Sequence, residues 1–351
     1  MRKKNTLIAR SSYLFQLTSA MVMIIIGSVL SSCQKDSSTT SDLVGNWKRG
    51  SEFEGVGRTE AVSFTIGNKV YVGGGFDGTN RLNDFWAFDQ STGTWVRIAD
   101  FPGVARNSAV AFTINGKGYV GTGYDANDNK LKDFWEYDPT ANVWTRKADF
   151  GGSARYNAIG FAIGSNGYIG TGYDGNFLKD MWKYDPTGNT WTQVASMTGS
   201  KRSEAVVFVY NSIAYVVSGL NNGSFLNDFW AYDPALNSWT EKRKITDATD
   251  DTFDDDYDNN ITRNNAAVFV MGSKAYLTSG SRSGVIGTTW EYDILNDTWK
   301  EKTSFEGSAR EGLIAFTVND RGYIVTGNNS SYRFDDLWEF LPSEEQSDND
   351  N

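Results

Sequence analysis

Tryptophan recurs along this chain at a nearly constant spacing, and this regularity constrains the fold more than any other feature. Six tryptophans are separated by 49, 47, 48, 60 and 48 residues: Trp86, Trp135, Trp182, Trp230, Trp290 and Trp338. A second tryptophan follows nine residues after each of the first five: Trp95, Trp144, Trp191, Trp239 and Trp299. The twelfth, Trp47, precedes the first unit. A repeat near 48 residues indicates an array of similar units that bury their apolar faces against one another.

Each unit is predicted to contain four short β-strands, called a to d in chain order. In the second unit, residues 109–114, 117–123, 133–138 and 143–145 alternate apolar and polar side chains or carry β-branched and aromatic residues. Asn115-Gly116 predicts a tight turn between strands a and b. No segment of the body shows a sustained 3.6-residue period, so we expect an all-β fold.

The repeat resembles the kelch motif over the whole body of the chain. Strand b is followed by a glycine, an aromatic-Asp pair ends strand c, and strand d contains the tryptophan, as in kelch repeats. One departure is that the kelch glycine pair is complete only at Gly74-Gly75, since Thr or Ser precedes the glycine elsewhere. The resemblance implies a six-bladed kelch β-propeller over residues 45–342.

The two ends of the repeat array predict how the ring closes. The last unit stops after its strand c at residues 337–340, whereas residues 46–48 read as a strand d with no unit before them. A ring in which the N-terminal strand completes the last blade accounts for both facts and leaves no exposed sheet edge at the closure. The repeated tryptophans are then packing residues between blades.

Residues 1–32 resemble a bacterial lipoprotein signal peptide. The basic residues of this segment are Arg2, Lys3, Lys4 and Arg10. An apolar run at residues 20–30 is too short to span a membrane and leads into Leu-Ser-Ser-Cys at 30–33, which is similar to a lipobox. The resemblance implies a lipid on Cys33, a polar tether over 33–44 and, from Gln34, the outer membrane. Residues 343–351 are predicted to be an acidic disordered tail.

The composition excludes several classes of function. The 351 residues include no histidine and one cysteine, so histidine-based catalysis, imidazole-ligated metals and internal disulfides are excluded. The same absences exclude galactose oxidase chemistry, the copper-dependent activity of another kelch relative. A net charge of −10 argues against nucleic-acid binding. We therefore expect no cofactor, and partners limited to the membrane and a glycan or protein ligand.

One arginine lies three residues before the first apolar residue of strand a in every unit: Arg58, Arg106, Arg155, Arg202, Arg263 and Arg310. Because strand a is innermost in a propeller, these arginines are expected around one mouth of the central channel, where guanidinium groups bind carboxylates or phosphates. In the alternative, each pairs with the Asp two residues before the strand-c tryptophan: Asp84, Asp133, Asp180, Asp228 and Asp336. The fifth unit has Thr288 at that position.

The b–c loops differ between units and lie on the same face as the arginines. Tyr124 and Tyr173, each followed by Asp, are candidate ligand contacts there. The long insertion of the fifth unit lies on this face too. Its Asp254, Asp256 and Asp258 alternate as at the start of a calcium loop, but the Gly and Glu that such a loop needs are absent. A solvated acidic loop is the alternative.

Two functions of different classes follow. The first is a membrane-anchored extracytoplasmic binding module for glycan or protein ligands. The second is a metal-free sugar mutarotase or epimerase, because the bacterial sialic acid mutarotases are also exported six-bladed kelch propellers. Such an enzyme needs an arginine for the sugar carboxylate and an acid/base carboxyl group. Glu60, Glu204 and Glu311 follow ring arginines closely and are the candidates.

Replacing the lipidation site should detach the protein from membranes. In the Cys33→Ser variant no thiol remains to carry a lipid, so the protein is expected in the soluble extracytoplasmic fraction. Fractionation after a carbonate wash measures this. A variant that still sediments with membranes would show that the lipobox assignment is incorrect.

Overall fold

A computed structural model of the chain describes residues 43–246, 261–347 and 349. These residues form 28 β-strands and no α-helix. The strands make six four-stranded sheets and two small hairpins. The predicted all-β, six-bladed propeller is confirmed. None of the described residues lie in a helix long and apolar enough to cross a membrane.

The first three blades consist of consecutive strands. Blade 1 contains β2 (Val62–Ile66), β3 (Lys69–Gly73), β4 (Phe85–Asp89) and β5 (Thr94–Arg97). Blade 2 contains β6 (Val110–Ile114), β7 (Lys117–Gly121), β8 (Phe134–Asp138) and β9 (Val143–Arg146). Blade 3 contains β10 (Ile159–Ile163), β11 (Asn166–Gly170), β12 (Met181–Asp185) and β13 (Thr190–Val194).

The remaining blades include two b–c hairpins. Blade 4 contains β14 (Val206–Tyr210), β15 (Ile213–Val217), β18 (Phe229–Asp233) and β19 (Ser238–Glu241), with the hairpin β16 (Leu220–Asn221) and β17 (Ser224–Phe225). Blade 5 contains β20 (Ala267–Met271), β21 (Lys274–Thr278), β22 (Thr289–Asp293) and β23 (Thr298–Lys302). Blade 6 contains β24 (Ile314–Val318), β25 (Arg321–Val325), β28 (Leu337–Leu341) and β1 (Asn46–Arg49), with the hairpin β26 (Asn328–Asn329) and β27 (Tyr332–Arg333).

All neighbouring strands within a blade are antiparallel, so their connections alternate between two faces. The a–b and c–d turns lie on one, here called the turn face. The b–c and d–a loops lie on the other, here called the loop face. Asn115 and Gly116 both have positive φ, 49° and 71°, as the predicted tight turn requires. The predicted strands of the second unit agree with β6 to β9 to within two residues.

The core lies between blades. The six innermost strands form a closed circle in which each contacts the next, including β24 and β2. The ring of Trp144, in blade 2, lies 4.9 Å from Phe85 and 5.2 Å from Phe101, which belong to blade 1 and its outgoing loop. Its indole Nε1 donates to the Ala99 carbonyl at 3.0 Å. The tryptophan of strand d therefore joins its blade to the preceding one, as predicted.

The incomplete glycine pairs have a conformational explanation. Gly74 has φ 62°, and the residues at the same position in the other blades, Thr122, Thr171, Ser218, Ser279 and Thr326, have φ between 54° and 67°. The second glycine cannot be replaced, because a Cβ on Gly123 would lie 2.9 Å from the Asn107 carbonyl oxygen. Thr and Ser at the first position of the pair therefore adopt the same left-handed backbone conformation as the kelch glycine, and their side chains add a hydroxyl group.

The N-terminal strand β1 pairs with β28 and is the fourth strand of blade 6, with Trp47 opposite Phe340. The Trp47 side chain is fully buried. Its ring lies 4.7 Å from Phe340, 5.2 Å from Phe305 and 6.2 Å from Phe269. It therefore packs in the same way between blades 5 and 6 as the other strand-d tryptophans.

The residues after β28 differ from the expected disordered tail. Gly45 N donates to the Glu344 carbonyl at 2.8 Å, and Ser347 N donates to Asn46 Oδ1 at 3.1 Å. Residues 344 to 347 therefore lie along the start of β1, held by the backbone of Gly45 and the side chain of Asn46. Cys33 and the candidates Asp254, Asp256 and Asp258 lie outside the described residues.

Truncating Trp47 should destabilise the whole propeller. Trp47→Ala removes the side chain that packs between blades 5 and 6 and is expected to lower the free energy of unfolding by about 3–5 kcal/mol. Denaturant unfolding followed by tryptophan fluorescence measures it. Lys48→Ala is the control, since this exposed neighbour in the same strand should be nearly neutral. Equal stability of the two variants would contradict a closing role for Trp47.

Candidate functional site at the channel mouth

The six repeated arginines are buried, each with at most 2% of its surface exposed. In blade 2, Arg106 donates from Nη1 and Nη2 to both oxygens of Asp133, each at 2.7 Å. Nη1 also donates to the Thr122 carbonyl and Nε to the Val104 carbonyl. The guanidinium lies 4.8 Å from the centre of the Phe101 ring. Every donor group of this arginine is thus used inside the protein.

The same pairing occurs in the other blades that have the Asp: Arg58–Asp84, Arg155–Asp180, Arg202–Asp228 and Arg310–Asp336. Burial alone would raise the pKa of the Asp133 carboxyl, but the hydrogen bonds and charge of Arg106 outweigh it and lower that pKa below its usual range. In blade 5 the Thr288 hydroxyl and carbonyl accept from Arg263, each at 2.9 Å. Burial lowers the pKa of Arg263 to about 9.

These contacts correct the expectation that Arg58, Arg106, Arg155, Arg202, Arg263 and Arg310 bind an anionic ligand. The guanidinium groups lie behind the channel mouth and not in it. Their role is to hold three parts of each blade together: the d–a loop, the end of strand b and the start of strand c.

The mouth itself is formed by the residues two positions after the arginines. All six have left-handed backbones, with φ between 48° and 62°: Glu60, Ser108, Asn157, Glu204, Asn265 and Gly312. Each backbone N–H donates to the carbonyl of its counterpart in the preceding blade, at 2.7 to 3.3 Å, and Glu60 N donates to Gly312. Six hydrogen bonds therefore close a circle around the channel, which we call the mouth ring.

Two carboxylates of the mouth ring are held by neighbouring amides. Glu60 Oε2 accepts from Asn107 Nδ2 at 2.6 Å and from Ser108 Oγ at 2.5 Å. Glu204 accepts from Asn157 Nδ2 at 2.9 Å and from Asn264 Nδ2 at 2.5 Å. Burial raises the pKa of the Glu204 carboxyl, and the negative charges of Glu60 and Glu311 add to this, while its two amide donors oppose it. All three candidate acids are therefore near this mouth.

A second circle of residues surrounds the mouth ring. The residue after each arginine bridges to the first residue of the b–c loop in the same blade: Thr59–Phe76, Asn107–Tyr124, Tyr156–Tyr173, Ser203–Leu220, Asn264–Ser281 and Glu311–Asn328. Blades 1 to 3 present aromatic side chains in this circle, and blades 4 to 6 present none. The loop face is therefore chemically asymmetric about the channel.

The aromatic side chains of blades 2 and 3 are in contact, and Arg81 connects them to Phe76 of blade 1. We call this set the aromatic arc: Phe76, Tyr124, Tyr156, Tyr173 and Phe177. The ring of Tyr156 lies 4.9 Å from Tyr124 and 5.6 Å from Tyr173. The Arg81 guanidinium lies 4.8 Å from the Tyr124 ring and 5.5 Å from the Phe76 ring, and its Nε donates to Asn107. Burial raises the pKa of Tyr156, and the charges of Tyr173, Glu204 and Glu60 add to the effect.

The structure thus brings the predicted residues Tyr124 and Tyr173 to the same mouth as the three candidate acids, Glu60, Glu204 and Glu311. The six arginines lie behind this mouth. Sequence reasoning did not identify Tyr156 and Arg81. A comparison of the positions one and two residues after each repeated arginine would have singled out Tyr156 as the aromatic member of its set. Among the residues that the structure describes, no three acidic, histidine or cysteine side chains form a group suited to a metal ion.

Comparisons with known proteins agree with this architecture. The family model of the KLHDC2/KLHL20/DRC7 kelch-repeats domain matches residues 102–253, and the kelch motif model matches residues 57–102. Kelch-repeat models thus match residues 57–253, so the six-bladed propeller is of the kelch type, an architecture that commonly serves as a protein or ligand interaction module.

One similar solved structure is that of YjhT, with a TM-score of 0.69 and 14% sequence identity. The match covers 82% of this chain and 95% of that chain. At this identity the likeness shows the fold alone. No curated protein matches the chain in sequence.

Removing one buried arginine should cost far more stability than removing an exposed one. Arg155→Ala leaves Asp180, the Thr171 carbonyl and the Phe150 ring without their partner and should lower the free energy of unfolding by about 3 kcal/mol. Arg97→Ala breaks an exposed pair with Asp100 and is the control with no measurable loss expected. Urea unfolding compares them. Equal midpoints would argue that the Arg–Asp pairs are not structural.

Proposed function

We propose that this protein is a binding module of the cell envelope that holds a glycan or protein ligand on its loop face, over the mouth ring and the aromatic arc. The proposal rests on one observation: the mouth ring and the aromatic arc adjoin at Tyr156. Tyr156 belongs to the arc, is followed directly by Asn157 of the mouth ring, and lies close to the charges of Glu60 and Glu204. A concave site with aromatic walls and a few convergent polar groups is the usual form of a ligand site.

Carbohydrate is the ligand that suits this chemistry best. Aromatic rings supply flat apolar surfaces for the carbon face of a sugar, and carboxylate and amide oxygens accept hydrogen bonds from its hydroxyl groups. The aromatic arc supplies Tyr124, Tyr156 and Tyr173, and the mouth ring supplies Glu60 and Asn157. A protein ligand with polar and aromatic side chains is the alternative within the same proposal.

Membrane attachment through a lipid on Cys33 is part of the proposal. It rests on the resemblance of residues 1–33 to a lipoprotein signal peptide, and Gln34 favours the outer membrane. The module would then present its ligand site outside the cytoplasm, held at the membrane by a polar tether that ends where β1 begins.

A second candidate function is that of a sugar mutarotase or epimerase, and the Glu204 carboxyl favours it. A carboxyl group with a raised pKa in a concave site is a candidate general acid or base. The buried arginines weigh against an acidic sugar as substrate, because they cannot supply the guanidinium that its carboxylate needs. NMR measurement of anomeric exchange distinguishes the two functions: an enzyme accelerates the exchange and loses that activity in Glu204→Gln, whereas a binding module leaves the rate unchanged.

Alanine substitutions in the aromatic arc should weaken ligand binding. A mixed array of glycans and peptides, screened with the soluble Cys33→Ser form, identifies ligands. Tyr173→Ala and Tyr156→Ala are each expected to reduce affinity about tenfold or more, because one stacked aromatic ring is lost. Leu236→Ala is the control, since this residue is 74% exposed in a c–d turn of the turn face. Ligands whose binding survives both tyrosine substitutions would place the site elsewhere.

A further inference from the structure

The mouth ring selects the group that enters it, and we infer that this group is the terminal residue of a non-acidic sugar chain, neutral or amine-bearing. The inference rests on the proposed function and specifies its ligand. It follows from three independent properties of the mouth: which hydrogen-bonding atoms are left open, what charge they carry, and how much space they enclose.

The mouth presents an open carboxylate oxygen. Side-chain groups of Asn107, Ser108, Asn157 and Asn264 donate to Glu60 or Glu204. Glu60 Oε1 accepts none of these bonds, and the Asn265 amide also lines the cavity. A group that donates to Glu60 Oε1 is therefore favoured at the mouth, as hydroxyl and ammonium groups can do and a carboxylate cannot.

The charge of the mouth excludes acidic sugars as well. Glu60 and Glu204 line it, and the charge of Glu311 reaches Glu204. The six repeated arginines are neutralised by their own partners or enclosed behind the mouth, so they do not balance these carboxylates. A carboxylate brought among them would be repelled, whereas a neutral residue is not, and an amine gains attraction.

The size of the mouth limits what enters to one terminal residue. The cavity bounded by the mouth ring measures about 130 Å³, below the roughly 300–1,000 Å³ of sites that enclose a whole small ligand. Six blades surround it, so a chain cannot pass across it sideways. Further down, the channel continues along the innermost strands, past Ala109, Val110, Ala158 and Ile159. The rest of the ligand must leave over the aromatic arc.

The test compares oligosaccharides that share one core and differ only at the end. Three sets are printed on one array: neutral hexose ends, hexosamine ends with a free amine, and uronic or sialic acid ends. The Cys33→Ser form is expected to bind the first two sets at least tenfold more tightly than the third. Capping the terminal residue with a bulky ether should abolish binding. Calorimetry with the best soluble oligosaccharide then gives the affinity.

A charge-removing variant tests the mouth directly. Glu204→Gln removes one negative charge from the mouth with little change of shape, so acidic ends should bind about tenfold more tightly and the difference between neutral and acidic ends should shrink. Glu241→Gln, on the exposed outer strand of blade 4, is the control and should leave the affinities for neutral and acidic ends unchanged. If Glu204→Gln does not fold, the binding of the three sets of oligosaccharides to the parent protein still tests the inference.

Three results would overturn the inference. Equal or tighter binding of acid-ended chains would show that the mouth does not select by charge, and unimpaired binding of capped chains would show that no terminal residue enters. Binding of peptides alone, lost on Tyr173→Ala, would refute this inference while leaving the loop-face binding module intact. Failure of both tyrosine substitutions to weaken binding would instead refute the proposed function itself.

Discussion

A buried arginine bound to the start of strand c, through an aspartate in five of the six blades, is the interaction on which the loop face depends. In blade 2 it joins the d–a loop at Arg106, the end of strand b at Thr122 and the start of strand c at Asp133. These three segments are separate in sequence, and backbone hydrogen bonds such as that from Thr122 N to the Asp133 carbonyl join them further. Because the pairing with the start of strand c fixes the arginine, it also fixes the residue two positions later, and with it the mouth ring.

The mouth ring shows how a nearly symmetric scaffold can carry an asymmetric site. Its six members share one backbone conformation and one hydrogen-bond pattern, and both are indifferent to the side chain as long as a left-handed φ is tolerated. The side chains are therefore free to vary. Glu60 and Glu204 are in blades 1 and 4, and the tyrosines of the aromatic arc are in blades 2 and 3, so the side-chain chemistry of the mouth changes around the channel while the fold does not.

Much of the fold could be predicted because its determinants repeat. The tryptophans, the strand-b tyrosines and the glycines recur at one spacing, and a strand pattern that agrees six times leaves little choice of architecture. The site could be predicted only in part. The arginine positions were identified correctly, but chain position does not reveal whether a guanidinium points into the mouth or away from it. Tyr156 occurs once, so no repetition marks it, and the hydrogen bonds between residues 45–46 and 344–347 join distant parts of the chain.

The pairing of β1 with β28 brings the start and the end of the described body together in one sheet. Gly45 N and the Glu344 carbonyl oxygen are 2.8 Å apart. A short peptide could therefore join these positions, and a new pair of termini could be opened in any d–a loop without removing a strand from its sheet. Circular permutation thus offers a way to move the chain ends from blade 6 to the loop face of any blade. A fusion partner joined to the new ends would then lie beside the loop face.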